Sequence, residues 1–161
     1  MATLVPQLRG SDCEAFSKDT KVCCGPYRAH TREGLYAYPD LVVVCGAMQF
    51  HSQAQDVLVN PTLIVEVLSP STEAFDRGEK FRRYRAWLPT LTDYVLVVQD
   101  QLVIDHYQRT PTGRWELETL EGLDAHVHLP SIACTVPMVD VYERIVFPQA
   151  EGDATPRAGE E

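Results

Sequence analysis

Two of the most apolar segments of this 161-residue chain each contain one carboxylate side chain. Asp40 lies in the apolar run 38–45, and Glu66 lies in the apolar run 62–68. A carboxylate is costly to bury without a partner, so each needs a bound cation or a dedicated hydrogen-bond network. The pair therefore predicts a divalent-metal site. Structural roles stay open, because Asp40 could cap a turn and Glu66 could pair with an arginine.

A lysine on the next predicted helix completes the set. Asp76, Lys80 and Tyr84 are spaced four residues apart, so they share one helix face. Metal-dependent phosphodiester hydrolysis needs hard oxygen ligands for Mg²⁺ or Mn²⁺ and a cation near the attacking or leaving oxygen. We expect Asp40 and Glu66 to bind the metal, Lys80 to be the catalytic cation, and Asp76 and Tyr84 to support it. An ordinary Asp76–Lys80 pair on a solvated surface is the alternative.

This chemistry requires two neighbouring strands and a helix that turns toward their ends. Consecutive strands of one sheet are usually adjacent, so we expect the strands carrying Asp40 and Glu66 to pair. The predicted strands are 13–16, 38–45, 62–68, 93–99, 102–107 and 115–120, and the predicted helices are 1–10, 137–143 and a segment from a cap at Ser71 or Thr72 to Trp87. Residues 49–55 read as a polar connection, and Val139 and Tyr142 should point inward.

Three segments resemble the Uma2 family of restriction-endonuclease-like proteins: Tyr38-Pro39-Asp40, the stretch 65–72, and the stretch 76–84. The likeness extends from about residue 8 to residue 142. It implies an α/β fold with a PD-(D/E)XK restriction-endonuclease-like core, a mixed central sheet flanked by helices. It also implies DNA cleavage with Mg²⁺ or Mn²⁺. The lysine of that superfamily usually lies two residues after the acidic one, where this chain has Leu68. The family is understood to carry it on the next helix, where Lys80 fits.

Uma2 proteins generally begin with further residues that include a helix whose glutamate is thought to complete the metal site. We expect this chain to start after that helix, and Glu14 is a poor substitute for its glutamate. A catalytically degenerate nuclease-fold module with a binding role is therefore the alternative function. A homodimeric scaffold built on exposed strands of the region 93–120 is a third.

The charge of the chain opposes simple nucleic-acid binding. Its net charge is -9, whereas surfaces that neutralise phosphates are usually basic. We expect residues 1–147 to form a single domain and the acidic segment 148–161 to be a disordered tail that does not touch the site. Arg77 and Arg83 are the expected DNA contacts, because they belong to the basic cluster around Lys80.

Several other classes are disfavoured. Five cysteines form an odd count without CxxC spacing, which predicts free buried thiols rather than a disulfide framework or a zinc ribbon. No GxSxG elbow or glycine-rich phosphate loop occurs, and His126 and His128 read as surface residues. Without a membrane span or a signal peptide, the protein is expected in the cytoplasm. Cutting both strands of a duplex would favour a homodimer.

Overall fold

The two apolar runs that carry the carboxylates form adjacent strands in the middle of a sheet. A computed structural model of the chain describes residues 3–28 and 31–147, so the predicted tail 148–161 lies outside the described residues. The strands are β1 (Cys13–Ser17), β2 (Lys21–Cys23), β3 (Tyr36–Ala37), β4 (Leu41–Cys45), β5 (Phe50–His51), β6 (Ala54–Leu58), β7 (Leu63–Leu68), β8 (Asp93–Val98), β9 (Val103–Arg109), β10 (Trp115–Glu121), β11 (His126–Leu129) and β12 (Cys134–Pro137). The helices are α1 (Leu4–Gln7), α2 (Glu73–Phe75), α3 (Phe81–Trp87) and α4 (Met138–Val141).

The central sheet has six strands in the order β1-β4-β7-β8-β9-β10. β7 and β8 pair in parallel, whereas the other neighbours pair antiparallel. A parallel pair needs a crossover connection, which α2 and α3 supply between β7 and β8. β8 and β9, which follow each other in the chain, form an antiparallel hairpin. The prediction of a mixed α/β fold is confirmed.

Apolar clusters cover both faces of this sheet. On one face, Ile64 and Leu68 of β7 pack with α3 and with a second, four-stranded sheet of order β3-β2-β6-β5. On the other face, Leu63 and Val65 pack with α1, α4 and the hairpin of β11 and β12. Because side chains alternate along a strand, Glu66 belongs to the face that α3 covers. Among the described residues, no helix has the length and apolar character needed to cross a bilayer.

The helix after β7 runs from Glu73 to Trp87 and contains a π-helical turn at Asp76–Lys80 between α2 and α3. Phe81, Tyr84 and Leu88 form its buried stripe. Thr72 occupies the N-cap position, one of the two predicted, but its side chain makes no capping hydrogen bond. Its hydroxyl instead lies 3.0 Å from that of Ser69, within a group of hydroxyls between strand and helix.

The cysteine prediction is wrong in one respect. Cys13 and Cys45 form a disulfide, because the antiparallel register of β1 and β4 places them directly opposite each other. An odd number of cysteines does not reveal such a pairing. Cys23, Cys24 and Cys134 are free and buried, as expected.

The small sheet was not predicted. Residues 49–55, expected to be a polar connection, contain β5 and the start of β6. These strands are short, and β6 exposes polar side chains such as Gln55 and Asp56, so they lack a clear apolar run. α1 is shorter than the helix predicted for residues 1–10. In α4, Tyr142 points inward as predicted, but Val139 is exposed and Met138 is the buried residue.

Candidate active site

Asp40 and Glu66 come from two neighbouring segments of the sheet: Asp40 directly precedes β4, and Glu66 lies within β7. Leu41 pairs with Val65, so the antiparallel register places Asp40 opposite Glu66. Asp40 is exposed, and its Oδ2 accepts a hydrogen bond from the backbone N–H of Val67 at 2.8 Å. The side chain thereby continues the strand ladder just before β4 begins. The predicted adjacency of the two strands is confirmed.

Lys80 lies between two buried carboxylates. Its Nζ is 2.8 Å from Glu66 Oε1 and 3.1 Å from Asp76 Oδ1. Glu66 is 2% exposed, Asp76 4% and Lys80 8%. Tyr84 is fully buried, and its hydroxyl makes a long hydrogen bond of 3.4 Å to the same Glu66 Oε1. The structure therefore brings together Glu66, Asp76, Lys80 and Tyr84, as their spacing predicted.

The π-helical turn sets the position of Lys80. A π-helical turn contains an extra residue, so it shifts the following side chains around the helix axis, and such turns are frequent at functional sites. The hydroxyl of Tyr94, on β8, donates to the carbonyl of Asp76 at 2.9 Å. Tyr94 also stacks on Phe81, with ring centroids 4.8 Å apart. Tyr94 thus ties the start of the turn to the sheet.

Burial and neighbouring charges have opposing effects on the pKa values of Glu66 and Lys80. Burial raises the pKa of Glu66 to about 7, although the positive charge of Lys80 opposes the shift. The charges of Asp76 and Asp40 add to the rise. Burial tends to lower the pKa of Lys80, but attraction to Glu66 and Asp76 outweighs it and the pKa is raised. Lys80 therefore stays cationic at neutral pH, and Glu66 is protonated more readily than an ordinary glutamate.

The donor set is compatible with a hard divalent cation. Mg²⁺ is usually held by one or two carboxylates together with water and substrate phosphate oxygens. Asp40 and Glu66 could supply two such oxygens from opposite strands. Within residues 3–28 and 31–147, the one group of three ligand-type side chains close enough for a shared ion is Asp12, Cys13 and Cys45. Its two sulfur atoms are joined in the disulfide, so it is not a thiolate site.

The two arginines predicted to contact DNA are engaged with acidic side chains. Arg77 is partly buried, and it pairs with Glu73 at 2.7 Å and with Asp105. Arg83 Nε lies 2.7 Å from Glu79. Neither arginine contacts Glu66, and their role toward DNA stays a prediction.

Sequence reasoning missed Tyr94 and the π-helical turn. Tyr94 lies in an apolar strand run, where an aromatic residue predicts core packing and nothing more. Its hydroxyl finds the carbonyl of Asp76 only through the packing of the helix on the sheet. Gly78 lies inside the turn, and it is the one local signal of the turn in the sequence. A Cβ built on Gly78 would meet nothing within 4 Å, so close packing does not explain why a glycine stands there.

Comparisons with known proteins place the chain in context. The model of the Uma2 family, described as "Putative restriction endonuclease", matches residues 1–137. An uncharacterized protein of Synechocystis, slr1290, is 36% identical over 140 residues, which are 87% of this chain and 68% of that protein. A second one, sll1609, is 38% identical over 92 residues, so the match spans 57% of this chain and about half, 51%, of that protein.

A solved structure has the same fold. It is the crystal structure of a putative nuclease belonging to DUF820 from Anabaena variabilis, with a TM-score of 0.64 and 16% sequence identity. The likeness covers 88% of this chain and 76% of that one. At this identity the likeness shows the fold alone.

Proposed function

Because the chain belongs to the Uma2 family, we propose that it is a metal-dependent DNA endonuclease whose centre is formed by Asp40, Glu66 and Lys80. The observation that carries the proposal is the buried Lys80, 2.8 Å from Glu66 on β7, the strand to which Asp40 hydrogen-bonds through Val67. A buried charge is costly, so a structure without a use for it would favour apolar residues here. Perturbed ionisable groups of this kind cluster at functional sites.

Each side chain has a distinct role in the proposed reaction. Asp40 and Glu66 would hold Mg²⁺ or Mn²⁺, which would polarise the phosphate and lower the pKa of a water. Lys80 orients the attacking water or neutralises charge on the scissile phosphate. Asp76 keeps Lys80 in place through its 3.1 Å contact, and Tyr84 restrains the carboxylate of Glu66. Because Lys80 is cationic at neutral pH, it acts as a charge rather than as a base.

A cleavage assay tests this function. Supercoiled plasmid and short duplexes are incubated with the full chain in Mg²⁺, in Mn²⁺ and in EDTA. We expect cleavage in either metal, none in EDTA, and none by the variant Glu66→Gln. Glu118→Gln is the matched control, because Glu118 is an exposed glutamate on the edge strand β10. Cleavage by a folded Glu66→Gln variant equal to that of the control would contradict the proposal.

A non-catalytic binding module is the second candidate. In the part of the chain that the structure describes, no group of three carboxylate, histidine or cysteine ligands forms around Asp40 and Glu66. A site with few ligands from the chain would bind metal weakly. Calorimetric titration of Mn²⁺ separates the two candidates: binding lost in Asp40→Ala and Glu66→Ala supports the nuclease, whereas no binding to the wild type supports the binding module.

We further propose that the protein works as a homodimer in the cytoplasm when it cuts duplex DNA, since one site per chain favours two chains for the cleavage of two strands. Of the strands 93–120 considered for a scaffold, β8 and β9 are interior and β10 is the sheet edge. Light scattering coupled to size-exclusion chromatography, with and without a duplex, measures the oligomeric state. A monomer under both conditions would contradict the dimer.

A further inference from the structure

An aromatic and basic surface adjoins Asp40. It consists of Lys21, Arg32, Tyr36 and Tyr38, and we call it the Tyr38 surface. Tyr38 is 49% exposed. Tyr38 and Asp40 are both exposed, and one buried residue, Pro39, separates them in the chain. Their Cα atoms are separated by at most about 7 Å.

Packing holds the ring of Tyr38 without burying it. Tyr38 and Tyr36 make an edge-to-face pair with ring centroids 5.5 Å apart. Lys21 Nζ lies 5.0 Å from the centroid of the Tyr36 ring. Because the ring of Tyr38 is already held in place, it loses little side-chain entropy when a flat ligand stacks on it.

The charge of this surface is positive in a chain that is acidic overall. Lys21 and Arg32 pair with the same atom, Asp56 Oδ2, at 2.6 and 2.8 Å. Two cations thus share one carboxylate, which leaves one positive charge in excess. The net charge of the whole chain is -9, so this local excess stands against an acidic background, and the carboxylate of Asp40 lies two residues from Tyr38.

We propose that the Tyr38 surface binds single-stranded DNA next to the phosphodiester that is cut, with a base stacked on Tyr38 and a backbone phosphate at Lys21 and Arg32. The inference rests on the proposed function, which places the scissile phosphate at Asp40. Stacking on an aromatic side chain combined with a basic groove is the usual mode of single-strand binding. The bases of an intact duplex are stacked on one another, so they cannot offer a face to Tyr38.

A rival surface exists at the end of α3. Trp87 is 42% exposed, close to the exposure of Tyr38, and it lines a cleft with Arg82 and Arg83. Both arginines pair with Glu79, and Trp87 lies about 10 Å along the helix from Lys80. Trp87 is therefore the matched control for Tyr38: an exposed aromatic residue beside arginines, but away from Asp40.

Fluorescence anisotropy of labelled oligonucleotides with the full chain in EDTA tests the inference without cleavage. We expect tighter binding to oligothymidine than to a duplex of equal length. Tyr38→Ala should weaken single-strand binding about fivefold or more, because stacking is lost. Tyr38→Phe and Trp87→Ala should bind like the wild type. Lys21→Gln should weaken binding and make its salt dependence less steep.

An abasic oligonucleotide separates stacking from charge. Tyr38→Ala should not change its affinity, whereas Lys21→Gln should still lower it. Tyr38→Leu, which keeps apolar bulk without a ring, should behave like Tyr38→Ala and serves if the alanine variant does not fold. Equal affinity of wild type and folded Tyr38→Leu for oligothymidine would overturn the proposal, as would a loss confined to Trp87→Ala or no binding by the wild type.

The cleavage assay keeps the two proposals apart. Tyr38-dependent binding without any metal-dependent cleavage would support the Tyr38 surface and count against the nuclease function. Cleavage by the wild type with full binding by Tyr38→Ala would support the nuclease and overturn the surface.

Discussion

The ammonium group of Lys80 lies 2.8 Å from Glu66 Oε1, although the two residues belong to different layers of the fold. Glu66 comes from the interior of a sheet strand, and Lys80 comes from the π-helical turn of the helix above it. Removing one partner of a buried ion pair leaves the other uncompensated. The Lys80–Glu66 ion pair therefore depends on the packing of this helix against the sheet.

Replacing Glu66 by glutamine tests its role as a metal ligand. The amide keeps the shape of the side chain and removes the negative charge, so we expect folded protein that no longer binds Mn²⁺ and no longer cuts DNA. Calorimetry measures binding, and thermal unfolding checks the fold. Retention of Mn²⁺ affinity at the level of the Glu118→Gln control would show that Glu66 is not a ligand.

Replacing Lys80 by alanine should lower turnover more than metal affinity. A charge that acts in the transition state contributes about a hundredfold or more to the rate. Single-turnover cleavage gives the rate, and calorimetry gives the affinity for Mn²⁺. If rate and affinity fall by the same factor, Lys80 holds the site together and does not take part in the reaction.

The metal-free protein should lose stability as the pH rises through neutrality. Burial raises the pKa of Glu66 to about 7, above its value of about 4.3 in an unfolded chain. The folded state thus binds this proton more tightly, and its stabilising effect is complete below about pH 4 and lost as the pH rises through about 7.

Denaturant unfolding in EDTA at pH 5 and pH 8 measures the effect. Between pH 5 and pH 8, the free energy of unfolding of the wild type should fall by about 2 to 3 kcal/mol more than that of Glu66→Gln. Equal slopes for the two proteins would mean that Glu66 is not protonated in the folded state.

Replacing Tyr94 by phenylalanine should loosen the π-helical turn. The variant loses the 2.9 Å hydrogen bond to the carbonyl of Asp76, which costs about 1 kcal/mol, and leaves Lys80 less well placed. Tyr107→Phe is the matched control, because Tyr107 packs on the same Phe81 ring and its hydroxyl bonds to no described residue. Denaturant unfolding and single-turnover cleavage are measured for both variants. If Tyr94 were only a core residue, the two variants would not differ in stability or in cleavage rate.

Reduction of the Cys13–Cys45 disulfide should destabilise the fold. The bond closes a loop with a sequence separation of 32, for which loss of chain entropy predicts about 3 to 4 kcal/mol. Thiol labelling in denaturant should find three reactive cysteines before reduction and five after it. Cys13→Ser should unfold like the reduced wild type, and Cys134→Ser should retain sensitivity to reductant. Five reactive thiols in unreduced protein would contradict the disulfide.

The elements that sequence reasoning located best are those with strong local signals. The apolar runs gave β4, β7 and β8, and the helical spacing of Asp76, Lys80 and Tyr84 placed all three beside Glu66. The adjacency of β4 and β7 was predicted from chain order, and it holds although β5 and β6 of the small sheet lie between them in the sequence. The start of β4 at Leu41 rather than at residue 38 reflects Pro39, which has no N–H to donate.

The features that could not be predicted depend on tertiary contacts. The π-helical turn is held by Tyr94 from another strand, and the disulfide depends on the pairing of β1 with β4. The exposure of Val139 depends on how α4 meets the sheet, since a helix of four residues can turn either of two faces inward. None of these contacts leaves a periodic signal in the sequence.

The side chains of β7 alternate between the two faces of the sheet, so the register of this strand decides which side chain faces Lys80. Glu66 is flanked by Val65 and Val67, whose side chains line an apolar cleft on the opposite face of the sheet. A slip of one residue would exchange these environments, so that a valine faced Lys80 and the carboxylate entered the apolar cleft. Insertions or deletions of one residue within β7 should therefore be more harmful than most substitutions there.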